Sequence, residues 1–217
     1  MKVSALRFVA SVLPALLLAA GTASAEQDAV RTWRFDVSLD GRRIGEHSFV
    51  ASERDGVVEI ESQARFTVNL LFVPVYRYEH RNREVWRDGC LARIDARTFD
   101  NGEELRVRGE VAPGGFGIQG PHGAATLPGC IKTFAYWDPR FLAEDRLLNA
   151  QTGEYESVRA QHRGIDTLLV AGRAREAHRH TLDAEGFQID LWYSPQGEWL
   201  GLESRTPEGR RLRYELH

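Results

Sequence analysis

After its first 25 residues this 217-residue chain has no long apolar run, no block of like charges and only two cysteines. A bilayer-spanning helix needs roughly 20 predominantly apolar residues, so the later sequence offers no transmembrane helix. Basic residues are interspersed with acids and the formal charge is -3. That argues against nucleic acid as a partner, because neutralising phosphates takes clustered Lys and Arg. There is no G-x-S-x-G, no H-E-x-x-H and no glycine-rich phosphate loop, so no catalytic residue and no cofactor is assigned. No internal repeat or low-complexity linker divides the chain, and no alternation of strands with helical periods suggests a parallel α/β fold.

What is present begins with an export signal. Lys2 and Arg7 precede the apolar stretch Phe8 to Ala20, and Gly21-Thr22-Ala23-Ser24-Ala25 supplies small residues in the A-x-A arrangement. Residues 1–25 are therefore expected to be a signal peptide, leaving 26–217 as a single domain with a formal charge of -5 once Lys2 and Arg7 are gone. No cysteine follows Ala25, so a lipid-modified N-terminus is not indicated. Cys90 and Cys130 both fall in the exported part, where thiols tend to pair, and a disulfide is the favoured expectation. Two buried free thiols or one reactive thiol are the alternatives.

Turn dipeptides punctuate the rest. Asp40-Gly41, Asp55-Gly56, Asp88-Gly89 and Asn101-Gly102 are hairpin signals, because both turn residues must accept positive φ. Between such turns the sequence alternates with period two: Trp33, Phe35, Val37 and Leu39 on one face, then Val58, Ile60, Ala64, Phe66 and Val68, and later Phe187, Ile189, Leu191 and Tyr193. This predicts a mainly β domain, an antiparallel meander curled into a barrel or half-barrel. Asp138-Pro139 reads as a cap and first turn, predicting one short inserted helix from about Pro139 to Leu148. The Leu70-to-Val75 run, broken by Pro74, predicts a bend or an edge.

A curled sheet often encloses a cavity. Tyr76, Tyr78 and His80 share one strand face, an aromatic ladder that either packs into the core or lines such a cavity as ligand-binding residues. His47 joins them if the strands neighbour one another. His178 and His180 are two apart on a strand and are weak metal candidates lacking a third ligand, so no metal is assigned. Glu79 with Glu84 is a conceivable acid/base pair, as is a reduced Cys90 or Cys130 with His80. The stretch Asn149 to Glu154 suits a turn or a cavity mouth, and Trp137, Trp192 and Trp199 suit core or rim.

Trp33 to Gly41, Tyr76 to His80, Phe134 to Pro139, Asn149 to Glu154 and Leu191 to Ser194 together resemble a family of proteobacterial secreted proteins known only as a domain of unknown function. The resemblance implies export, to the periplasm or exterior of a Gram-negative bacterium, and an antiparallel β fold. It carries over no site residue. A more distant likeness is to periplasmic half-barrels that carry lipoproteins or lipids. The leading expectation is a non-enzymatic protein that binds a lipid, another apolar or amphipathic molecule, or an envelope partner. An enzyme acting on an envelope component and a structural or assembly factor are the alternatives.

Overall fold

Turn chemistry sets the frame. In the computed structural model, which describes residues 29–70 and 73–217, both residues of all four expected turns have positive φ, from 46° at Asn101 to 109° at Gly102. Type I′ turns need that pair of values, and their twist matches the flanking strands. Ala171-Gly172 adopts the same conformation, with φ of 49° and 74°. Alanine is not a residue that announces such a turn, so the sequence reading missed it. The expected signal peptide lies outside the described residues.

Fourteen strands follow among the described residues. The first eight are β1 (Ala29–Leu39), β2 (Arg42–Arg54), β3 (Val57–Leu70), β4 (Val73–Arg87), β5 (Cys90–Asp100), β6 (Glu103–Ala112), β7 (Gly115–Gly120) and β8 (Gly123–Leu127). The remainder are β9 (Arg146–Leu148), β10 (Tyr155–Val170), β11 (Arg173–Ala184), β12 (Phe187–Tyr193), β13 (Trp199–Arg205) and β14 (Arg211–Leu216). Each run is a meander, and the two are joined because the first strand pairs antiparallel with the last, Phe35 opposite Leu216 and Val37 opposite Tyr214. The single antiparallel sheet therefore ends at β8 on one side and β9 on the other, curled but not closed.

The segment 128–145 fills the space between those ends. Residues 131 to 137 bury every second side chain, Ile131, Thr133, Ala135 and Trp137, so this is an extended strap with one face in the core. The Leu91 amide donates to the Ile131 carbonyl at 2.8 Å, and the Leu148 amide to the Lys132 carbonyl at 2.8 Å. Cys90 and Cys130 are bridged, with Cα atoms 5.1 Å apart, which pins the strap to the start of β5. The pairing expected from an oxidising compartment is present.

The expected helix is only half realised. Asp138 caps it, accepting from the Arg140 amide, but the turn is a 3-10 helix covering Pro139–Ala143, and Arg146–Leu148 is strand β9. Continued as an α-helix, the segment would stack Phe141, Asp145 and Leu148 on one face, with a carboxylate in the middle of the apolar stripe. As a strand it buries Leu147 and Leu148 completely and pairs with β10. The Leu70-to-Val75 run sits where β3 meets β4, which pair as far as Leu70 opposite Val73, with Pro74 opposite Asn69. β4 has no second neighbour until Tyr78 meets Asp100, so proline costs no ladder bond there. Leu71 and Phe72 lie outside the described residues.

The main core occupies the concave face. Phe35, Phe49 and Tyr136 pack around the buried Trp199, with ring centroids 4.2 to 5.4 Å from it. A smaller cluster of Val170, Ala177 and Leu200 lies on the outer face beside Trp192, whose indole donates to Asp166 at 2.8 Å.

Candidate functional site

Paired residues in adjacent strands point to the same face, so the register converts the sequence into rows of side chains. One row on the concave face runs Phe35, His47, Ala64, His80, Thr98 across β1 to β5. The next runs Trp33, Phe49, Ser62, Asn82, Ala96. β2 and β4 are not neighbours, so His47 meets the Tyr78–His80 ladder across β3 rather than beside it. β3 presents its smallest residues there, Ser62 and Ala64. Two strand spacings separate the backbones of His47 and His80, roughly 10 Å, and Ala64 does not fill the gap.

Beside this row opens a partly open cavity of about 370 Å³, which β3 reaches through Ser62 while Ala64 stays buried beneath its neighbours; its size is within the range of small-molecule sites, roughly 300–1,000 Å³. Its polar wall is His47, Ser62, His80, Asn82 and Glu84 from β2 to β4. Its apolar wall comes from β12 to β14, with Phe187, Ile189, Leu202 and Leu212. Phe134 and Tyr136 of the strap and Asn149 to Gln151 complete it. The last loop combines the two roles the sequence suggested. Asn149 accepts from the Gln151 amide at 2.8 Å as turn chemistry requires, and the same residues border the cavity. No cue in the sequence shows the strap or the apolar wall, because both arrive from strands distant in the chain.

The hydrogen-bond inventory of this cavity is incomplete. Both ring nitrogens of His47 and Oδ1 of Asn82 are shielded from solvent and have no partner. His80 is held by one bond, Nδ1 to Thr98 Oγ1 at 2.8 Å. Burial lowers the His47 pKa to about 3, helped by repulsion from His80, and burial lowers His80 to about 4. Both imidazoles are therefore neutral near pH 7. Glu84 is buried, and burial raises its pKa against the opposing bonds from Asn82, Trp86 and Thr133; the Asn82 amide and the Trp86 indole each donate to it at 2.8 Å. Its oxygens are spoken for, which makes it an anchor between β4 and the strap.

Of the residues singled out from sequence, His47, Tyr78 and His80 come together on this cavity. Tyr78 stacks on Phe66 with centroids 5.2 Å apart. Tyr76 does not line it. It packs half-buried against the Val37–Phe66–Tyr78 cluster, and burial plus a bond to Asp100 raise its pKa above the usual phenol range. Glu79 and Glu84 lie on opposite faces of β4, and Glu79 is paired with Arg77 on the outside, so they cannot act on one substrate. The disulfide removes any thiol for a Cys–His pair. A furrow of about 380 Å³ on that outer face, lined by Arg77, Glu79, Arg97 and Glu104, is filled by charges that pair with each other.

His178 and His180 line a shallower cleft of about 430 Å³ beside the 3-10 helix. The expected want of a nearby third histidine is corrected by the fold, because His162 on β10 lies opposite His180, ring centroids 5.1 Å apart, and 5.6 Å from His178. Among the described residues, however, no group of three metal-ligating side chains is arranged to hold an ion. Of the tryptophans, Trp137 and Trp199 are core, and Trp192 belongs to the outer cluster.

The curled sheet is similar to a crystal structure described as a beta-barrel-like protein of domain of unknown function DUF1849 from Brucella abortus. The TM-score is 0.61 at 13% identity, over 86% of this chain and 94% of that one, a likeness of fold alone. No curated protein matches the sequence. Residues 35–217 match a family described as domain of unknown function DUF6134. With nearly the whole sheet inside that match, the chain belongs to the DUF6134 family.

Proposed function

We propose that this is an exported, periplasmic binding protein that holds an amphipathic small molecule in the central cavity. The observation that carries the reading is the pairing of an apolar wall with a polar notch whose His47 nitrogens and Asn82 oxygen lack partners. Leaving buried polar atoms unsatisfied costs roughly 1–3 kcal/mol each, a cost that a bound molecule, or water, would offset. The disulfide and the absence, among the described residues, of a helix able to cross a membrane agree with an exported protein. Glu84 ties β4 to the strap beside the cavity.

Native mass spectrometry and solvent extraction of protein purified from the periplasm test this directly. The expected result is a co-purifying small molecule that is lost in Ser62→Leu, whose larger side chain enters the cavity from β3 at a packing cost of about 1–3 kcal/mol. A folded protein that carries nothing and shows no saturable binding would remove the reading.

A further inference from the structure

We infer that the cavity selects an uncharged ligand whose polar end carries hydroxyl groups, and that His47 and Asn82 are the residues that read it. The inference rests on the binding reading above and narrows its chemistry. Among the described residues no lysine or arginine lines the cavity. Bringing a carboxylate or phosphate into it would desolvate an anion with no cation to meet it, a large penalty unless the charge is paired. A cationic ligand fares little better, because the one carboxyl present, Glu84, is already engaged by Asn82 and Trp86.

The free valences are those of a neutral partner. Asn82 gives its Nδ2 protons to Glu84 at 2.8 Å, which orients the amide and leaves Oδ1 as an acceptor without a donor. A neutral imidazole has one donor and one acceptor nitrogen, and in His47 both are unmatched. A hydroxyl donates and accepts at once, so a diol or sugar ring beside β3 can satisfy His47 and Asn82 together. Ser62, on the same wall, supplies a further hydroxyl. His47 already stacks on Phe49, ring centroids 4.2 Å apart, which holds its ring plane and leaves the two nitrogens at its edge unmatched. Apolar atoms of the same ligand would lie on Phe187 and Leu212 across the cavity.

The test is a matched series with one octyl tail, each member below its micelle concentration: octyl glucoside, octyl sulfate and octyltrimethylammonium, with free glucose beside them. Binding to the full exported protein is read by calorimetry. The glucoside is expected to bind at least tenfold more tightly than either ion, and His47→Phe and Asn82→Leu each to remove about tenfold of that preference while the folded circular dichroism is retained. Glucose binding as well as the glucoside supports the inference with a free sugar as the source; binding that needs the tail supports it with a lipid source. Equal or tighter binding of the sulfate or the ammonium, lost in Ser62→Leu, overturns the uncharged-ligand inference while the cavity reading survives. If no member binds and nothing co-purifies, the cavity reading itself fails.

Discussion

Five of the seven histidines form two groups that the same sheet treats differently. His47 and His80 sit at the centre of the concave face, walled by β3 and roofed by the strap, and burial keeps both neutral well below pH 6. His162, His178 and His180 sit near the 3-10 helix, closer to each other but in a shallow cleft, where burial first and the neighbouring imidazoles second push His180 downward. Spacing does not separate the groups. Depth does, because desolvation penalises the charged form far more than a neighbouring imidazole in a wet cleft can.

The largest way to break the contrast is by pH. Each buried histidine has a native pKa below the unfolded value of 6.5, so the unfolded state binds more protons as pH falls, and the stability each residue contributes above pH 6.5 is lost on the way down to its native pKa. Glu84 has the opposite sign. Its raised native pKa stabilises the fold as pH falls toward 4.5, against the histidines. The variant His47→Phe/His80→Leu should therefore flatten the acid limb by up to two protons, at most about 2.7 kcal/mol per pH unit, or about 4 kcal/mol between pH 6.5 and 4.5. Urea titrations across that window measure it. An unchanged limb would mean that the two rings are hydrated.

Next in size is the bridge. Cys90→Ala/Cys130→Ala should cost about 3–4 kcal/mol, the chain-entropy value for a loop of this length. Because the bridge holds the cavity end of the strap, imidazole NMR signals of His47 and His80 should shift while those of His162 and His180 hold. Movement of both groups together would show that the strap acts as one rigid unit.

A smaller effect is expected from His47→Phe alone at pH 7. It removes two unpartnered nitrogens beside Phe49 and should stabilise the empty protein by about 1 kcal/mol, seen as a raised denaturation midpoint. A loss of stability would instead place an ordered partner on that ring. Smallest of all, His162→Ala in the exposed cleft should stay within about 0.5 kcal/mol of the parent; a larger loss would give the cleft a structural role.

The alternation of Trp33 to Leu39 and the Asp-Gly turns were enough to state a curled antiparallel sheet, because side-chain period and positive φ are local properties. The same locality explains the failures. Ala171-Gly172 turns without a turn residue in first place, and Arg146–Leu148 becomes a strand because the Lys132 carbonyl and β10 are there to pair with it. Tyr78 and His80 were legible as one face of one strand, whereas the gap beside them was not. It exists because Ser62 is the small residue that β3 places between Phe49 and Asn82 and because the last three strands return beside the first. Sequence alone determined most of the strands and turns and the favoured cysteine pairing, since these follow from neighbours a few residues apart or from counting thiols. Only the tertiary structure decided which histidines are buried, where the strap runs and that a cavity is left, since register and desolvation depend on residues far apart in the chain.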